Sequence, residues 1–204
     1  IAIGQAKQEI IRMGEYSVQG LQEAMQHINK YDKKHVNTVA QIEEAINSLD
    51  QKTTEYLVSI SKQSLSGHDS KVHNVLLENI RDIERIGDHV ENLFELTEFI
   101  ENNGAQLSEE AMQELNGMLE LVVETVSLAI QSLDQLDVEA AKQVLANEDQ
   151  IDQMERKLRK NHIVRLNNGI CTGYAGVIFV DIISNLERVG DHATNIAQSV
   201  IEVK

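Results

Sequence analysis

Apolar residues recur every third or fourth position along almost the whole chain, with polar residues between them. That period marks amphipathic helices that each turn one stripe to a core. It predicts six of them. The first covers roughly 2–30, with Ile3, Ile10, Met13, Val18, Leu21, Met25 and Ile28 inward, and a break at Lys30-Tyr31-Asp32-Lys33-Lys34 separates it from a second over about 36–61. Residues 64–70 read as a turn, with Asp69 or Ser70 capping a third helix over about 72–100. Asn102-Asn103-Gly104 stops that helix. Ser108, with Glu109 and Glu110 behind it, starts a fourth over about 109–133. Asp137 caps a fifth that runs to about Leu166, Asn167-Asn168-Gly169 stops it, and a sixth covers about 174–202.

The six helices fall into two similar sets. Ile83-Glu84-Arg85-Ile86-Gly87-Asp88-His89 matches Leu186-Glu187-Arg188-Val189-Gly190-Asp191-His192, and the acidic stretch Glu43–Asp50 matches Glu148–Glu155. The offsets are nearly equal, which points to a duplicated three-helix unit with halves at 1–104 and 105–204. Long helices with short connections make bundles. The expected fold is therefore all-α: two tandem three-helix bundles related by a pseudo-twofold axis.

Composition supports this and narrows the function. There is no Pro to break a helix, and only 3% of the residues are aromatic, so the core must be aliphatic. The net charge of −15 repels phosphate backbones and anionic headgroups, which argues against nucleic acid and makes cations natural ligands. A single cysteine, Cys171, rules out an intrachain disulfide and reads as a packing residue beside a turn. No apolar run reaches the roughly 18 residues that a membrane-spanning helix needs, and no signal peptide is visible. The chain opens on Ile1 rather than Met, already in helical pattern, as a fragment of something longer would.

The duplicated motif carries the candidate chemistry. Glu84 and Asp88 stand four apart on one helix face, as do Glu187 and Asp191, and Glu148, Asp152 and Glu155 form a further acidic stripe. Like charges crowded in this way must be separated, protonated or neutralised. A divalent or trivalent cation held between facing helices would do this. Oxygen donors suit magnesium, manganese, calcium or iron, and His89 or His192 would widen the choice to zinc or nickel. Each of these histidines lies about 100° round the helix from its Asp, so it reads as a neighbour of the ligands or a surface residue. His27, His35, His68, His73 and His162 have no repeat partner and read as surface or interface residues. Gly87 and Gly190, costly inside helices, mark places where a neighbouring helix or ligand comes close. Arg85 and Arg188 either pair with adjacent carboxylates or bind an anion beside a metal. On the residues alone a second reading stays open, in which the acids form solvated faces neutralised by Arg81, Arg85 and Arg188. There is no phosphate-binding loop, no nucleophile motif and no Glu-x-x-His pair, so a binding or regulatory module is expected rather than an enzyme.

The paired Glu-Arg-x-Gly-Asp-His segments resemble the PhoU family of phosphate-uptake regulators, and the resemblance covers most of the chain. It implies an all-helical cytoplasmic protein that binds multinuclear metal clusters of iron, zinc, manganese, magnesium or nickel. Residue by residue, it assigns ligands to Glu84, Asp88, Glu187 and Asp191, with Glu148 and Asp152 on the preceding helix. The matching first-half pair is Glu43 and Asn47. Asn47 stands where an acid is expected, so that site is weaker or draws on Glu44 or Asp50. The opening Gln5–Gly14 and the segments Asn168–Cys171 and Phe179–Asp181 are similar to the cytosolic tail of bacterial sodium–phosphate cotransporter-like proteins. That narrower resemblance implies a membrane domain of a transporter, or other phosphate-uptake proteins, as partner, with phosphate itself and a second copy of the chain as further candidates. A helical docking domain without metal is the alternative.

Overall fold

A computed structural model describes residues 2–204. It has six helices: α1 (Ala2–Asn29), α2 (Lys33–Ser61), α3 (Gly67–Asn102), α4 (Glu109–Gln135), α5 (Val138–Asn167) and α6 (Gly173–Val203). The described residues contain no strand.

Most boundaries follow from side chains that satisfy the orphan N–H groups of the first turn. Ser108 Oγ accepts from the Ala111 N–H at 3.1 Å, and Asp137 Oδ1 from the Ala140 N–H at 3.1 Å, as expected. Two starts lie earlier than the pattern predicts. Asp32 Oδ1 accepts from the Lys34 N–H, so α2 begins at Lys33 rather than near Val36. Ser66, not Asp69 or Ser70, caps α3: its Oγ accepts from the Asp69 N–H at 3.0 Å, and Asp69 becomes a first-turn acid facing the helix dipole. The stops at Gly104 and Gly169 use left-handed backbone, φ +58° and +70°, with the next N–H reaching five residues back to Ile100 and Arg165.

Within each half the three helices pack on one another, and the halves meet through α1 on α4 and α3 on α6. Both inter-half pairs run antiparallel. Lys7 reaches the Asp134 carbonyl at one end of α1/α4, and Asn29 bonds Asn116 at the other. Lys71 reaches the Glu202 carbonyl, and Asn103 bonds the Tyr174 hydroxyl, at the two ends of α3/α6. This is the pseudo-twofold arrangement expected of a duplicated unit. Ile10, Met13, Leu21, Ile83, Ile86, Leu93, Leu115, Leu119, Phe179 and Leu186 belong to a single aliphatic core shared by both halves. Of the α1 positions predicted inward, Ile10, Met13 and Leu21 are fully buried, and Ile3, Val18, Met25 and Ile28 are partly buried against the core.

Three of the histidines expected at the surface or at an interface, His27, His73 and His162, are buried. His27 stacks on Phe94 with ring centroids 4.8 Å apart and accepts from the Asp32 N–H. His162 stacks on Phe179 at 4.4 Å, and His73 bonds the Leu57 carbonyl at 2.6 Å. A neutral imidazole behaves as a flat, half-apolar ring once a partner meets its nitrogen, and these three find such partners locally. Burial pushes the His27 and His162 pKa values down, which keeps them neutral. His35 is half-buried on Glu23, and His68 is exposed. Cys171 is half-buried with its Sγ 3.4 Å from His162 Nε2. Arg165 is buried beside the same imidazole and forms an ion pair with Glu114.

Two outcomes test this packing. A methyl group at Gly14 would fall 2.7 Å from Ile130 Cγ1, so α1 and α4 touch there nearly backbone to side chain. Gly14→Ala should destabilise the fold in urea by about 1–3 kcal/mol despite the better helix propensity of Ala. Ile130→Ala in the same chain should return part of that loss, giving a clear coupling in the double-mutant cycle. Glu114→Ala strands a buried guanidinium and should cost about 3–5 kcal/mol in the same assay.

Candidate metal centre

Helix α5 presents Glu148 and Asp152 one turn apart, and α6 presents Glu187 and Asp191 likewise. Where the two helices pack, these four side chains face one another. One ligand oxygen from each lies within 4.8 Å of those of the other three. The first three are half-buried and Asp191 is exposed. Close approach is possible because residue 190 is Gly. A Cβ there would sit 3.3 Å from Ile151 Cδ1 and 3.9 Å from Glu148 Oε1, inside the space that Ile151 and Glu148 use.

The electrostatics of this group are unfavourable as it stands. Burial and the charges of Asp152 and Asp191 push the Glu148 pKa up to about 8. Burial and the charges of Asp191, Asp152 and Glu155 push Glu187 up to about 7. Glu148 Oε1 is buried with no hydrogen-bond partner in the structure. An all-oxygen donor set, gathered at this spacing and holding an unpartnered buried oxygen, has the chemistry that a hard or borderline cation requires.

The first half does not repeat this gathering. Glu84 is half-buried, and burial followed by the charges of Asp88 and Asp50 pushes its pKa up, against the Arg85 guanidinium. Asp50 is thus the α2 acid whose charge reaches Glu84. Glu43 lines a small cavity with Gly20, Gly87 and Val90, and Glu44 and Asn47 are exposed. Among the described residues, the set of three or more acids, histidines or cysteines close enough to share an ion is the α5–α6 set. A Cβ at Gly87 would meet Ile46 Cδ1 only at 3.7 Å, so the close approach expected at both motif glycines is tight at Gly190 and ordinary at Gly87.

The motif histidines face the other half of the molecule. His89 Nδ1 lies 2.8 Å from Asn185 Oδ1, which Asn92 also approaches at 3.1 Å. His192 Nδ1 lies 3.0 Å from Asp82 Oδ1, shared with Asn195. The two rings are 5.7 Å apart at the α3–α6 contact, forming a polar seam on the pseudo-twofold. Asn185 and Asp82 were not singled out by the sequence motifs; their only signal is position, two residues before each Glu-Arg pair. Arg81, Arg85 and Arg188 form no ion pair within 4.0 Å among the described residues, so direct neutralisation by these three does not account for the acids.

Comparison with known proteins agrees with this architecture. The PhoU homolog 1 of Thermotoga maritima, a phosphate-specific transport system accessory protein, is 31% identical over 129 residues, which cover 63% of this chain and 55% of that protein. The corresponding PhoU homolog of Xylella fastidiosa is 28% identical over 193 residues, covering 95% of this chain and 80% of its own. A Salmonella typhimurium protein named for inorganic phosphate export is 18% identical over 204 residues, and the match covers 37% of that longer chain. In fold, the crystal structure of PhoU from Pseudomonas aeruginosa superposes with a TM-score of 0.91 at 20% identity, covering 99% of this chain and 96% of that one. The PhoU domain model matches twice, over residues 10–97 and 115–200, once for each half, and the chain belongs to the PhoU domain family.

Proposed function

We propose that this chain is an accessory, regulatory domain of phosphate transport that binds a cation through Glu148, Asp152, Glu187 and Asp191. The observation that carries the reading is the gathering of four carboxylates within 4.8 Å, two of them held away from their ordinary ionisation by one another and by burial. A divalent or trivalent ion would replace that repulsion with shared attraction. Iron, manganese, zinc, magnesium and nickel are the candidates, and the oxygen-only donor set favours manganese, magnesium or iron among them. In the first half, Glu84 and Asp88, with Asp50, Glu43 and Glu44 as further donors, would make a weaker site. The accessory role in phosphate transport rests on the curated relatives. The attachment to a transporter's membrane domain draws on the longer Salmonella protein, of which a stretch like this chain forms part. No described helix is long and apolar enough to cross a membrane, so any such domain would lie in other residues. The reading involves no catalysis by the chain: the acids bind, and binding changes how the helices are held.

The alternative, a docking domain without metal, is favoured by one observation. Ile163, Val164, Ile170, Tyr174 and Val177 leave an exposed apolar surface around the α5–α6 turn, next to Phe99. The two readings part on metal content.

Elemental analysis after incubation with Mn²⁺, Zn²⁺ or Fe²⁺ and dialysis should find at least about one ion per chain. Glu187→Ala with Asp191→Ala should remove most of it, whereas Glu84→Ala with Asp88→Ala should leave most in place. A wild-type chain that keeps none of these ions sinks the cation reading. The pH dependence follows from the direction of the shifts. Glu148 and Glu187 have folded pKa values above their ordinary 4.5, so their contribution to stability is fully present below pH 4.5 and is lost as pH rises through about 7 to 8. Metal-free protein should therefore lose urea stability between pH 5 and 8. Glu148→Gln should flatten that slope, and added cation should raise stability most at the alkaline end.

A further inference from the structure

Beside the four carboxylates, the α5–α6 crevice continues into an open polar groove of about 380 Å³. Asp152, Glu155 and Glu187 line one part of it; Arg156, Arg159, Ser184 and Arg188 line the rest. The helices place these cations together. Arg156 and Arg159 lie one and two turns beyond Asp152 on α5, and Ser184 and Arg188 are four apart on α6. Arg159 spans the crevice, donating from Nη2 to Ser184 Oγ at 3.1 Å.

Charge neutralisation of the acids does not explain this set. Arg159 alone of the three is engaged by a carboxylate, that of Glu155. Arg156 and Arg188 are exposed and have no carboxylate within 4.0 Å among the described residues. Arg156 and Arg188 therefore stand next to the acids without pairing with them.

The internal repeat supplies an independent control. At the offset that aligns Glu43 with Glu148, the positions of Arg156 and Arg159 are held by Gln51 and Thr54. Arg188 has a counterpart in Arg85, but the α5 arginine pair occurs only in the half that gathers four acids.

We propose that Arg156, Arg159, Arg188 and Ser184 form a binding groove for inorganic phosphate, filled when the adjacent carboxylates hold a cation. Guanidinium forks match the oxygens of a tetrahedral anion, and a hydroxyl adds a donor. An anion next to unscreened carboxylates would be repelled, so the inference rests on the cation reading above. A bound cation reverses the sign of the field on that side of the groove. Cation and phosphate then favour each other's binding, and by linkage the effect is reciprocal.

Equilibrium dialysis with radiolabelled inorganic phosphate, on the full chain with and without Mn²⁺, tests this, with metal content measured on the same samples. Phosphate should bind the Mn²⁺-loaded chain at least tenfold more tightly than the metal-free chain. Arg156→Gln with Arg159→Thr, which installs the first-half residues, should weaken phosphate at least tenfold and leave Mn²⁺ content unchanged, as should Arg188→Gln. Equal phosphate affinity in these variants, parallel loss of Mn²⁺, or no phosphate uptake by the Mn²⁺-loaded wild type would each overturn the groove while leaving the cation reading intact. If the wild type takes up no Mn²⁺, the cation reading fails by itself. In that case the groove is overturned unless the metal-free chain binds phosphate and the arginine variants abolish it.

Discussion

Electrostatic repulsion among Glu148, Asp152, Glu187 and Asp191 is the constraint around which the second half is organised. Nothing in the local sequence would bring these acids together; left to themselves they would spread into water. The aliphatic packing beneath them does so. Ile151, Leu158, Ile182, Ile183, Leu186 and Val189 are buried, and Gly190 lets Ile151 settle against α6. Each buried aliphatic side chain contributes about 1.5–3 kcal/mol, whereas an exposed like-charge pair one turn apart costs only a few tenths. The core therefore prevails, and the strain it leaves is expressed as raised pKa values at Glu148 and Glu187 rather than as displaced helices.

That balance explains why the fold was legible in the sequence while the site was legible only in part. The 3.6-residue period and the caps Ser108 and Asp137 gave the helices and their order. The misplaced start of α3 lies where Ser64, Ser66, Asp69 and Ser70 compete for one N-cap, and that of α2 lies in a charged run where apolar periodicity begins only after the capping Asp32. The doubled Glu-x-x-x-Asp spacing pointed to the acids that the structure gathers in the second half. It could not decide how far the first-half acids converge, since that depends on the side-chain directions of Glu43 and Asp50 off α2. Histidine burial was missed for a related reason. Whether an imidazole is buried depends on whether a ring lies beneath it, as Phe94 and Phe179 do for His27 and His162. The α5 arginines gave no motif at all, and only their absence from the matching positions of α2 sets them apart.

The α3–α6 seam sits between these two levels. His89, Asn185, His192 and Asp82 belong to, or adjoin, the most recognisable segments of the chain, yet their hydrogen bonds cross from one half to the other. Polar contacts within this interface, Ser199 Oγ to Asn79 Oδ1 among them, fix register, because any slide along the helices would leave buried polar atoms unpaired. In this way the residues that look like part of a ligand site also set the angle at which the two halves meet.

The seam also bears on what duplication leaves behind. Once two copies share one core, the copy that loses a function is not released from selection, since its outer face has become the other copy's inner wall. Asn47 stands at the exposed rim, where the second half has Asp152, while Leu93 and Ile86 lie fully buried in the interior. The first half in this way acts as a splint, and a chain cut down to the second half would lack the surface that holds it rigid.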